Sequence, residues 1–306
     1  MSPPDRRRFR PPAWLKRWLV PIWNAAYHSS WAILDRAIAL IHREVGRCAV
    51  CGRIGLMIYR RRVIHAELAR RWNLSERVAR AVARKESLEC SRCGAKLRGR
   101  RLARVLLDLS LGGPGEAAPR SVADWTKSRA VQRLRVAEIN RVEGLHETLR
   151  GLPHFQGSDF LEGAAPGSTL NGVRHEDLTR LTYPDAAFDL VITSETLEHV
   201  PDLTAALGEL RRVLVPGGIH LFTVPLLPGV PRTFPRARLD PTGARIDLAP
   251  PICHPGGDVG YPVFTEFGAD FPALVRAAGF EVEVRCGPTT EDDVAQVYIA
   301  RKPVEP

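Results

Sequence analysis

Short apolar runs alternate with helical patterns over the second half of the chain. Runs with the length and composition of buried strands lie at residues 135–139, 154–159, 172–176, 188–193, 219–224, 280–285 and 294–300. Apolar residues recur at helical spacing over residues 144–151, 202–214 and 266–278. This alternation predicts an α/β fold in which a mostly parallel, seven-stranded sheet carries helices on both faces.

The first 46 residues are predicted to form a basic arm and an amphipathic helix. Residues 1–12 combine proline with arginine, and from Trp14 to about Glu44 apolar side chains recur every three or four positions. The tryptophans of this segment could lie at a membrane surface or pack on the rest of the chain. No apolar run is long enough for a transmembrane helix, and the basic start lacks the pattern of a secretory signal. We therefore expect a cytoplasmic protein, with peripheral membrane contact left open.

Four of the six cysteines form two C-x-x-C pairs, Cys48–Cys51 and Cys90–Cys93, and a glycine follows each pair. In a reducing compartment this spacing favours metal binding over disulfides. Four thiolates close a tetrahedron around zinc and leave no position open for chemistry. The spacing therefore predicts a small, helical, structural zinc module at residues 47–108. Four buried or redox-active thiols are the alternative.

The charge divides the chain at about the same place as the hydrophobic pattern. Residues 1–133 hold 29 Lys and Arg against 10 Asp and Glu, a net charge of +19, whereas the remainder holds 15 against 24, a net charge of −9. A linker at 109–133, rich in Gly and Pro, separates the zinc module from the α/β domain predicted for 134–306. The basic half could bind phosphates, anionic lipid or an acidic protein surface, or it could be a solvated face. Arg98 and the arginines after it could contact phosphate or face solvent.

The 49 residues from Asp177 to Pro225 read DLTRLTYPDAAFDLVITSETLEHVPDLTAALGELRRVLVPGGIHLFTVP. This stretch resembles the class I S-adenosylmethionine-dependent methyltransferases, in particular the type 11-like group with an F-D-x-V…L-E-H-V…L-x-P-G-G pattern. The cysteine pairs ahead of it are similar to those of a subgroup with an N-terminal zinc-ribbon-like module. The resemblance implies a Rossmann-like fold, S-adenosylmethionine as the cofactor, and methyl transfer as the activity.

Members of this family bind the adenosine through acidic residues that follow two strands of the sheet. The resemblance implies that Asp159 binds the ribose hydroxyls and that Asp177 accepts from the adenine amino group, because a carboxylate offers only acceptors. Either residue could instead form a cap or a turn. Ser194 follows a central strand, and open α/β sheets bind ligands at that end of the strands. The implied cofactor site comprises Glu138, Asn140, Gly144, Asp159, Phe160, Asp177, Leu178, Ser194 and Glu195.

The loop after the first strand of the sheet departs from the family pattern. That pattern is D-x-G-x-G-x-G, whereas residues 138–144 read EINRVEG. Glu138 keeps the acidic position and Gly144 the last glycine. Asn140 tolerates a left-handed backbone, which Val142 does not. We therefore expect a reshaped loop, at which the cofactor binds differently, weakly or not at all.

Histidines near the same edge are candidate bases. The sequence Glu195-x-x-Glu198-His199 resembles the metal-binding E-x-x-E-H of the quinone-precursor O-methyltransferases, so a divalent ion is one interpretation and a pocket rim is the other. His254 lies in a loop rich in Gly and Pro, at residues 250–268, which is typical of a lid. His254 or His199 could deprotonate a hydroxyl or an amine, or either could be a surface histidine.

Three functions remain open at this point. The first is a methyltransferase that acts on a small metabolite or a glycan. The second is an RNA methyltransferase whose basic zinc module holds phosphates. The third is a non-catalytic binding protein on a degenerate methyltransferase fold, which the missing glycines motivate. The sequence indicates neither the methyl acceptor nor the oligomeric state.

Overall fold

The computed structural model describes residues 44–59, 74–109, 111, 117–226, 229–254, 260–286 and 294–304. The predicted basic arm and nearly all of the predicted amphipathic helix lie outside these residues. Within them, no helix has the length and apolar character needed to cross a bilayer.

The described chain folds into strands, helices and two short 3-10 turns. The strands are β1 Glu44–Arg47, β2 Ile54–Tyr59, β3 Leu88–Cys90, β4 Val136–Ile139, β5 Phe155–Asp159, β6 Thr169–Leu170, β7 Val173–His175, β8 Phe188–Ser194, β9 Leu214–Thr223, β10 Phe234–Pro235, β11 Ala237–Leu239, β12 Arg245–Asp247, β13 Cys253–His254, β14 Tyr261–Pro262, β15 Thr265–Glu266, β16 Glu281–Arg285 and β17 Val297–Arg301. The α-helices are α1 Glu76–Ser87, α2 Leu97–Asp108, α3 Val122–Trp125, α4 Leu145–Leu149, α5 Leu203–Val213 and α6 Phe271–Ala277. The 3-10 turns are Val131–Arg133 and Leu197–His199.

Eight strands form one large sheet in the order β16-β17-β9-β8-β4-β5-β7-β6. The five central strands β9, β8, β4, β5 and β7 run parallel, whereas β17 is antiparallel to both of its neighbours. The predicted α/β class is therefore confirmed, and each of the seven predicted strand segments holds a strand. The two-residue strand β6, an edge addition, was not predicted.

The two faces of this sheet are covered by different helices. Val136, Leu190 and Ile219 belong to one buried cluster that also includes Leu102 and Leu106 of α2. On the other face the buried residues of the strands cluster with those of α5 and α6. Because helices cover both sides, the central strand β8 is buried along its length except at the partly exposed Asp189.

The segment with the cysteine pairs is more than the helical module predicted from its sequence. Strands β1, β2 and β3 form an antiparallel sheet, from which α1 and α2 follow. The apolar strand β2 is the central strand of this sheet, because it pairs with β1 beside the first cysteine turn and with β3 beside the second. Ser75 caps α1 by accepting a hydrogen bond from the Val78 amide. Since α2 packs on the large sheet, the module and that sheet share one core; the domain boundary at 108/109 stays a prediction.

The strand order reverses beside β4, and this reversal positions the candidate site. The chain continues from β4 to β5 on one side, and β8 is added later on the other side of β4. Loops that follow β4 and β8 therefore leave the sheet in opposite directions and open a crevice between them. Open α/β sheets bind ligands at such a switch point.

Candidate functional site

The four cysteines of the two pairs come together as predicted. The Cys48 and Cys93 sulfurs lie 3.8 Å apart, those of Cys51 and Cys90 lie 4.0 Å apart, and all four lie within 4.8 Å of one another. A tetrahedral zinc site with Zn–S bonds of about 2.3 Å has sulfur separations of about 3.8 Å. The cluster therefore has the donors and spacing that zinc requires.

Two glycines let the chain turn at these cysteine pairs. Gly52 has φ of +75° and Gly94 has φ of +72°, a conformation that residues with a side chain rarely adopt. At the second pair the Arg92 amide faces the Cys90 sulfur at 3.5 Å. Such amide contacts stabilise thiolate charge, which suits a metal-bound cysteine.

The loop that follows β4 is reshaped, as the sequence predicted. Asn140 has φ of +60° and Gly144 has φ of +75°, so both take the left-handed conformation expected of them. Val142 avoids that conformation and is buried, with its side chain against Gly99 of α2. A side chain at Gly144 would collide with the Cys93 carbonyl. The cysteine module thus packs against the part of the loop where the family pattern has its glycines.

Glu138 lies inside the protein, below this loop. Its side chain is fully buried and lies 2.5 Å from His146 Nδ1, and it also accepts a hydrogen bond from the Val142 amide. Burial raises the pKa of Glu138, although the His146 contact opposes that shift. Glu138 therefore holds the loop in shape and presents no carboxylate at the surface of the crevice.

Asp159 and Phe160 lie at the end of β5, beside the loop. The Phe160 amide donates to Asn140 Oδ1, which joins the ends of β4 and β5. The Asp159 carboxylate accepts from the Arg141 amide at 2.9 Å and pairs with its guanidinium at 3.0 Å. Phe160 is 57% exposed. An aromatic ring and a carboxylate are thus available to a ligand at this edge.

Asp177 lies after β7 and forms a turn. Its Oδ1 atom accepts from the amide and the hydroxyl of Thr179, both at 2.8 Å. Leu178, the next residue, is buried. The turn that the sequence allowed as an alternative is therefore present. The cofactor role of Asp177 stays a prediction, and its second carboxylate oxygen is the atom that would serve it.

Lys85 of α1 pairs with Glu195 directly after β8. The Lys85 Nζ atom lies 2.8 Å from Glu195 Oε2, and the Lys85 side chain is only 4% exposed. Burial alone would lower the pKa of Lys85, but Glu195 and Glu86 hold it above its ordinary value. The other carboxylate oxygen of Glu195 is buried and has no hydrogen-bond partner among the described residues. Glu195 thus offers one acceptor to the crevice.

Arg98 of α2 bridges the two sides of the crevice. It donates to Ser194 at the end of β8 and to Glu143 in the loop after β4, and it pairs with Glu86 of α1. Its side chain is 10% exposed, so the expectation that it contacts solvent or phosphate on an open helix is wrong. Arg98 is buried because α2 lies against the sheet at this position.

A second cluster of possible metal ligands consists of Glu198, His199 and His254. Glu195 is not part of this cluster and pairs with Lys85 instead. The fully buried Glu198 carboxylate lies 3.4 Å from His199 Nε2 and 3.5 Å from His254 Nδ1. Neither of its oxygens has a hydrogen bond of good geometry among the residues that the structure describes. The cluster therefore brings both candidate bases together around one carboxylate.

The protonation of His199 follows from its other nitrogen. His199 Nδ1 lies 2.8 Å from the Pro262 carbonyl, which can only accept, so Nδ1 carries a proton. In a neutral imidazole the Nε2 lone pair would then face the Glu198 carboxylate. Two acceptors in that arrangement need a proton or a cation between them. The atoms of the cluster lie within 4.8 Å of one another, which suits either.

The residues of the crevice fit S-adenosylmethionine in part. A carboxylate, an exposed ring and a turn are present where the nucleoside is expected, and one buried oxygen of Glu195 has no hydrogen-bond partner among the described residues. The glycine-lined cradle for the amino-acid tail is absent, since Val142 and α2 fill that space. The nucleoside half therefore fits the residues present, whereas the tail needs different ones.

Comparison with known proteins agrees with this architecture. Residues 157–222 match the methyltransferase domain family. The match begins within β5 and ends within β9, so it includes the central strand β8 and helix α5. The resemblance to S-adenosylmethionine-dependent methyltransferases is thereby confirmed for this part of the chain, whereas membership of the zinc-ribbon subgroup stays a prediction.

Individual relatives match this chain over limited lengths. A probable S-adenosylmethionine-dependent methyltransferase of Mycolicibacterium smegmatis is 40% identical over 53 residues, which is 17% of this chain and 21% of that protein. The demethylmenaquinone methyltransferase of Staphylococcus haemolyticus is 32% identical over 100 residues, 32% of this chain and 37% of that protein. The chain therefore spans between a fifth and two fifths of these curated relatives.

Among solved structures, a 1,6-didemethyltoxoflavin-N1-methyltransferase of Burkholderia thailandensis, with bound 1,6-didemethyltoxoflavin and S-adenosylhomocysteine, aligns with 66% of this chain and 88% of that chain. The sequence identity is 19% and the TM-score is 0.37.

Sequence reasoning did not identify Lys85 as a site residue and gave Arg98 a surface role. Both lie on helices of the cysteine module, far along the chain from the strands that they contact. One available signal was Gly99, which lets α2 approach the loop at Val142. The pattern of helix residues alone does not reveal which face meets the sheet.

Proposed function

We propose that this protein transfers a methyl group from S-adenosylmethionine to an acceptor bound beside the crevice. The observation that carries this proposal is the methyltransferase-domain match over residues 157–222, which spans the ends of β5, β7 and β8. The polar groups that a nucleoside requires lie at those ends. Six of the nine residues that the resemblance implied would contact the cofactor, namely Asp159, Phe160, Asp177, Leu178, Ser194 and Glu195. The other three, Glu138, Asn140 and Gly144, would act through the shape of the loop.

The sulfonium of bound S-adenosylmethionine supplies an already reactive methyl group, so the protein mainly positions the reactants and excludes water. Asp159 would accept hydrogen bonds from the ribose hydroxyls, and Asp177 would accept from the adenine amino group. Phe160 would cover one face of the nucleoside. Strands β13 and β15 lie next to Glu198 and its turn and would cover the acceptor.

His254 would remove the proton of the acceptor's hydroxyl or amine. Burial alone would lower the pKa of His254, but the Glu198 carboxylate holds it above its ordinary value, and Glu195 contributes. Glu198 itself stays ionised despite burial, because the two imidazoles lower its pKa. A carboxylate that orients an imidazole and stabilises its protonated form is a common arrangement for a general base. His199 would share the charge of Glu198.

Small metabolites and glycans are the acceptors that this arrangement supports best. Such molecules carry hydroxyls or amines whose protons must leave during methylation, which suits a pair of imidazoles around a carboxylate. Purified protein with tritiated S-adenosylmethionine should therefore label the small-molecule or glycan fraction of a cell extract. The matched variant His254→Asn should lower that labelling by about 100-fold, the lower range for loss of a general base.

RNA is a second candidate acceptor, which one observation favours. A cavity of about 160 Å³ on the module is lined by the guanidinium-bearing residues Arg47, Arg100, Arg101 and Arg104. Guanidinium groups recognise phosphate well. In this case RNA would be labelled in the same assay. Its binding would weaken steeply with salt, and the double variant Arg101→Ala, Arg104→Ala would flatten that dependence.

The cysteine cluster would hold one structural zinc ion. With four sulfur ligands the ion would have no open position, so its task would be to fix the two cysteine turns, one of which lies between the end of α1 and the start of α2. The proposal of a methyltransferase fails if the zinc-loaded chain shows no affinity for S-adenosylhomocysteine. In that event the non-catalytic binding protein becomes the better description.

A further inference from the structure

Arg98 occupies the switch-point crevice and belongs to the cysteine module. Its guanidinium contacts Ser194 at the end of β8 on one side and Glu143 in the loop after β4 on the other. The crevice between those two elements is where a ligand of this fold is expected. A buried cation therefore lies at the ligand position, and it comes from outside the large sheet.

We propose that Arg98 binds the carboxylate of the cofactor's amino-acid tail and that Glu195 binds its ammonium group. This inference rests on the proposed function. It makes the cysteine module a part of the methyl-donor site, in place of the glycine-lined loop that this chain lacks. Arg98 and Glu195 are binding residues in this account, and Lys85 is a positioning residue that holds Glu195.

The geometry of the loop explains why another group must hold the tail. Gly99 of α2 lies against the Val142 side chain, and Gly144 lies against the Cys93 carbonyl. The Arg141 and Val142 amides of the loop donate to Asp159 and Glu138 rather than to a ligand. A charged tail in this region needs partners on the surface that covers the loop, and Arg98 lies on that surface.

The donors and acceptors that remain match a zwitterion. A guanidinium has five N–H donors. In Arg98, Nε contacts Ser194, Nη1 contacts Glu86, and Nη2 contacts both oxygens of Glu143. The Nη1 nitrogen therefore keeps one N–H, which suits a carboxylate oxygen. Glu195 uses one oxygen for Lys85 and leaves the other buried without a partner. An ammonium group at that oxygen would satisfy it.

A purely structural role of Arg98 is the competing explanation. Lys85, Lys96 and Arg98 face Glu86, Glu143 and Glu195, so the network is already neutral. In that case Arg98 would join the module to the sheet and never touch the cofactor. The two explanations differ in whether Arg98 distinguishes ligands with a tail from ligands without one.

A ligand series on the unaltered full chain tests the inference without any mutation. Calorimetry would compare S-adenosylhomocysteine with its decarboxylated analogue, which lacks the carboxylate, and with 5′-methylthioadenosine, which lacks the whole tail. We expect each loss to weaken binding, by at least about 10-fold for the carboxylate, since its removal loses a charge-assisted hydrogen bond. Equal affinities for all three would overturn the inference and leave the nucleoside site standing.

The variant Arg98→Met then assigns the carboxylate contact. It should lower the affinity for S-adenosylhomocysteine by about 10-fold. The affinities for the two truncated ligands should stay within about twofold of those of the unaltered chain. Arg98→Lys, which keeps the charge, should lie between. Arg80→Met is the matched control, because Arg80 is exposed on α1 and pairs with Glu76. Melting temperature and zinc content would show whether each variant is folded.

The outcomes separate the two proposals. If Arg98→Met lowers the affinity for all three ligands equally, Arg98 has a structural role and the inference is wrong, whereas the proposed function stands. If the unaltered chain binds none of the three, the proposed function fails and the inference fails with it. Should Arg98→Met not fold, the ligand series together with Arg98→Lys still decides the matter.

Discussion

The Lys85 ammonium lies 2.8 Å from the Glu195 carboxylate, and this buried ion pair joins the cysteine module to the end of β8. Lys85 belongs to α1, whereas Glu195 follows the central strand of the large sheet. Because burial removes both groups from water, each would be costly without the other. The pair therefore couples the position of the module to the geometry of the proposed methyl-donor site.

The first prediction concerns this pair. Lys85→Met should lower the free energy of unfolding by about 3–5 kcal/mol, because it leaves the Glu195 charge buried and unpaired. The double variant Lys85→Met, Glu195→Gln should recover much of that loss, since no unpaired charge remains. Denaturant titrations of the unaltered chain, of Lys85→Met, of Glu195→Gln and of the double variant measure the coupling energy between the two residues. Strictly additive changes in the free energy of unfolding would show that the two residues do not interact.

Removal of the metal should abolish ligand binding before it unfolds the large sheet. Helix α1 ends just before Cys90 and α2 starts just after Cys93, and these helices carry Lys85 and Arg98. We expect chelation, or Cys90→Ser, to lower the affinity for S-adenosylhomocysteine by at least about 10-fold, which corresponds to the loss of one charge-assisted contact. Cys286→Ser is the control, because Cys286 is exposed and outside the module. Unchanged affinity in the stripped protein would separate the module from the site.

The pH dependence of methyl transfer should report the Glu198–His254 pair. His254 acts as a base only when it is neutral, so kcat/KM should rise as the pH passes the pKa of His254. Glu198 holds that pKa above its ordinary value. Glu198→Gln removes the negative charge, which lowers the pKa, and the rise should therefore move to lower pH, with a smaller rate at the plateau.

The profile would be measured with and without EDTA, so that a cation at the cluster is detected. A rise at the same pH in Glu198→Gln would contradict the assignment of His254. His254→Asn should remove the rise altogether, because no titrating imidazole remains at that position.

Acid should destabilise the fold through His220. This residue is fully buried in β9, and burial lowers the pKa of His220 from 6.5 to about 3. The unfolded chain binds a proton there below pH 6.5, whereas the folded chain does not until about pH 3. Stability from this site is complete above pH 6.5 and falls as the pH decreases through that window.

Between pH 7 and pH 5 the loss should be about 2 kcal/mol, at about 1.4 kcal/mol per pH unit below 6.5. His220→Gln keeps a polar partner for the Thr193 hydroxyl, 2.9 Å from His220 Nε2, and does not titrate. Urea titrations of both proteins at the two pH values would show the difference. An equal pH dependence in the variant would mean that His220 is not the responsible group.

The large sheet was predictable from the sequence because its signals are local. Strand β8 holds the apolar residues Phe188, Leu190, Val191 and Ile192 close together in the chain, and the turn at Asn140 needs only one residue that tolerates positive φ. The cysteine pairs likewise specify their own turns through Gly52 and Gly94. Such features depend on neighbours within a few positions.

The charged part of the site was not predictable, because its contacts join distant segments. Lys85 meets Glu195 across 110 positions, and Arg98 meets Ser194 across 96. No periodicity links such residues, and an arginine on a helix is ordinarily solvated. The other two cysteines, Cys253 and Cys286, lack metal-site spacing and are exposed. Residue type alone does not indicate that exposure.

The most direct test of the account is calorimetric titration of the full, zinc-loaded chain with S-adenosylhomocysteine, with zinc quantified on the same sample. The account predicts one zinc ion and one nucleoside bound per chain. A folded, zinc-loaded chain that releases no heat and shows no rise in melting temperature with the ligand would contradict it.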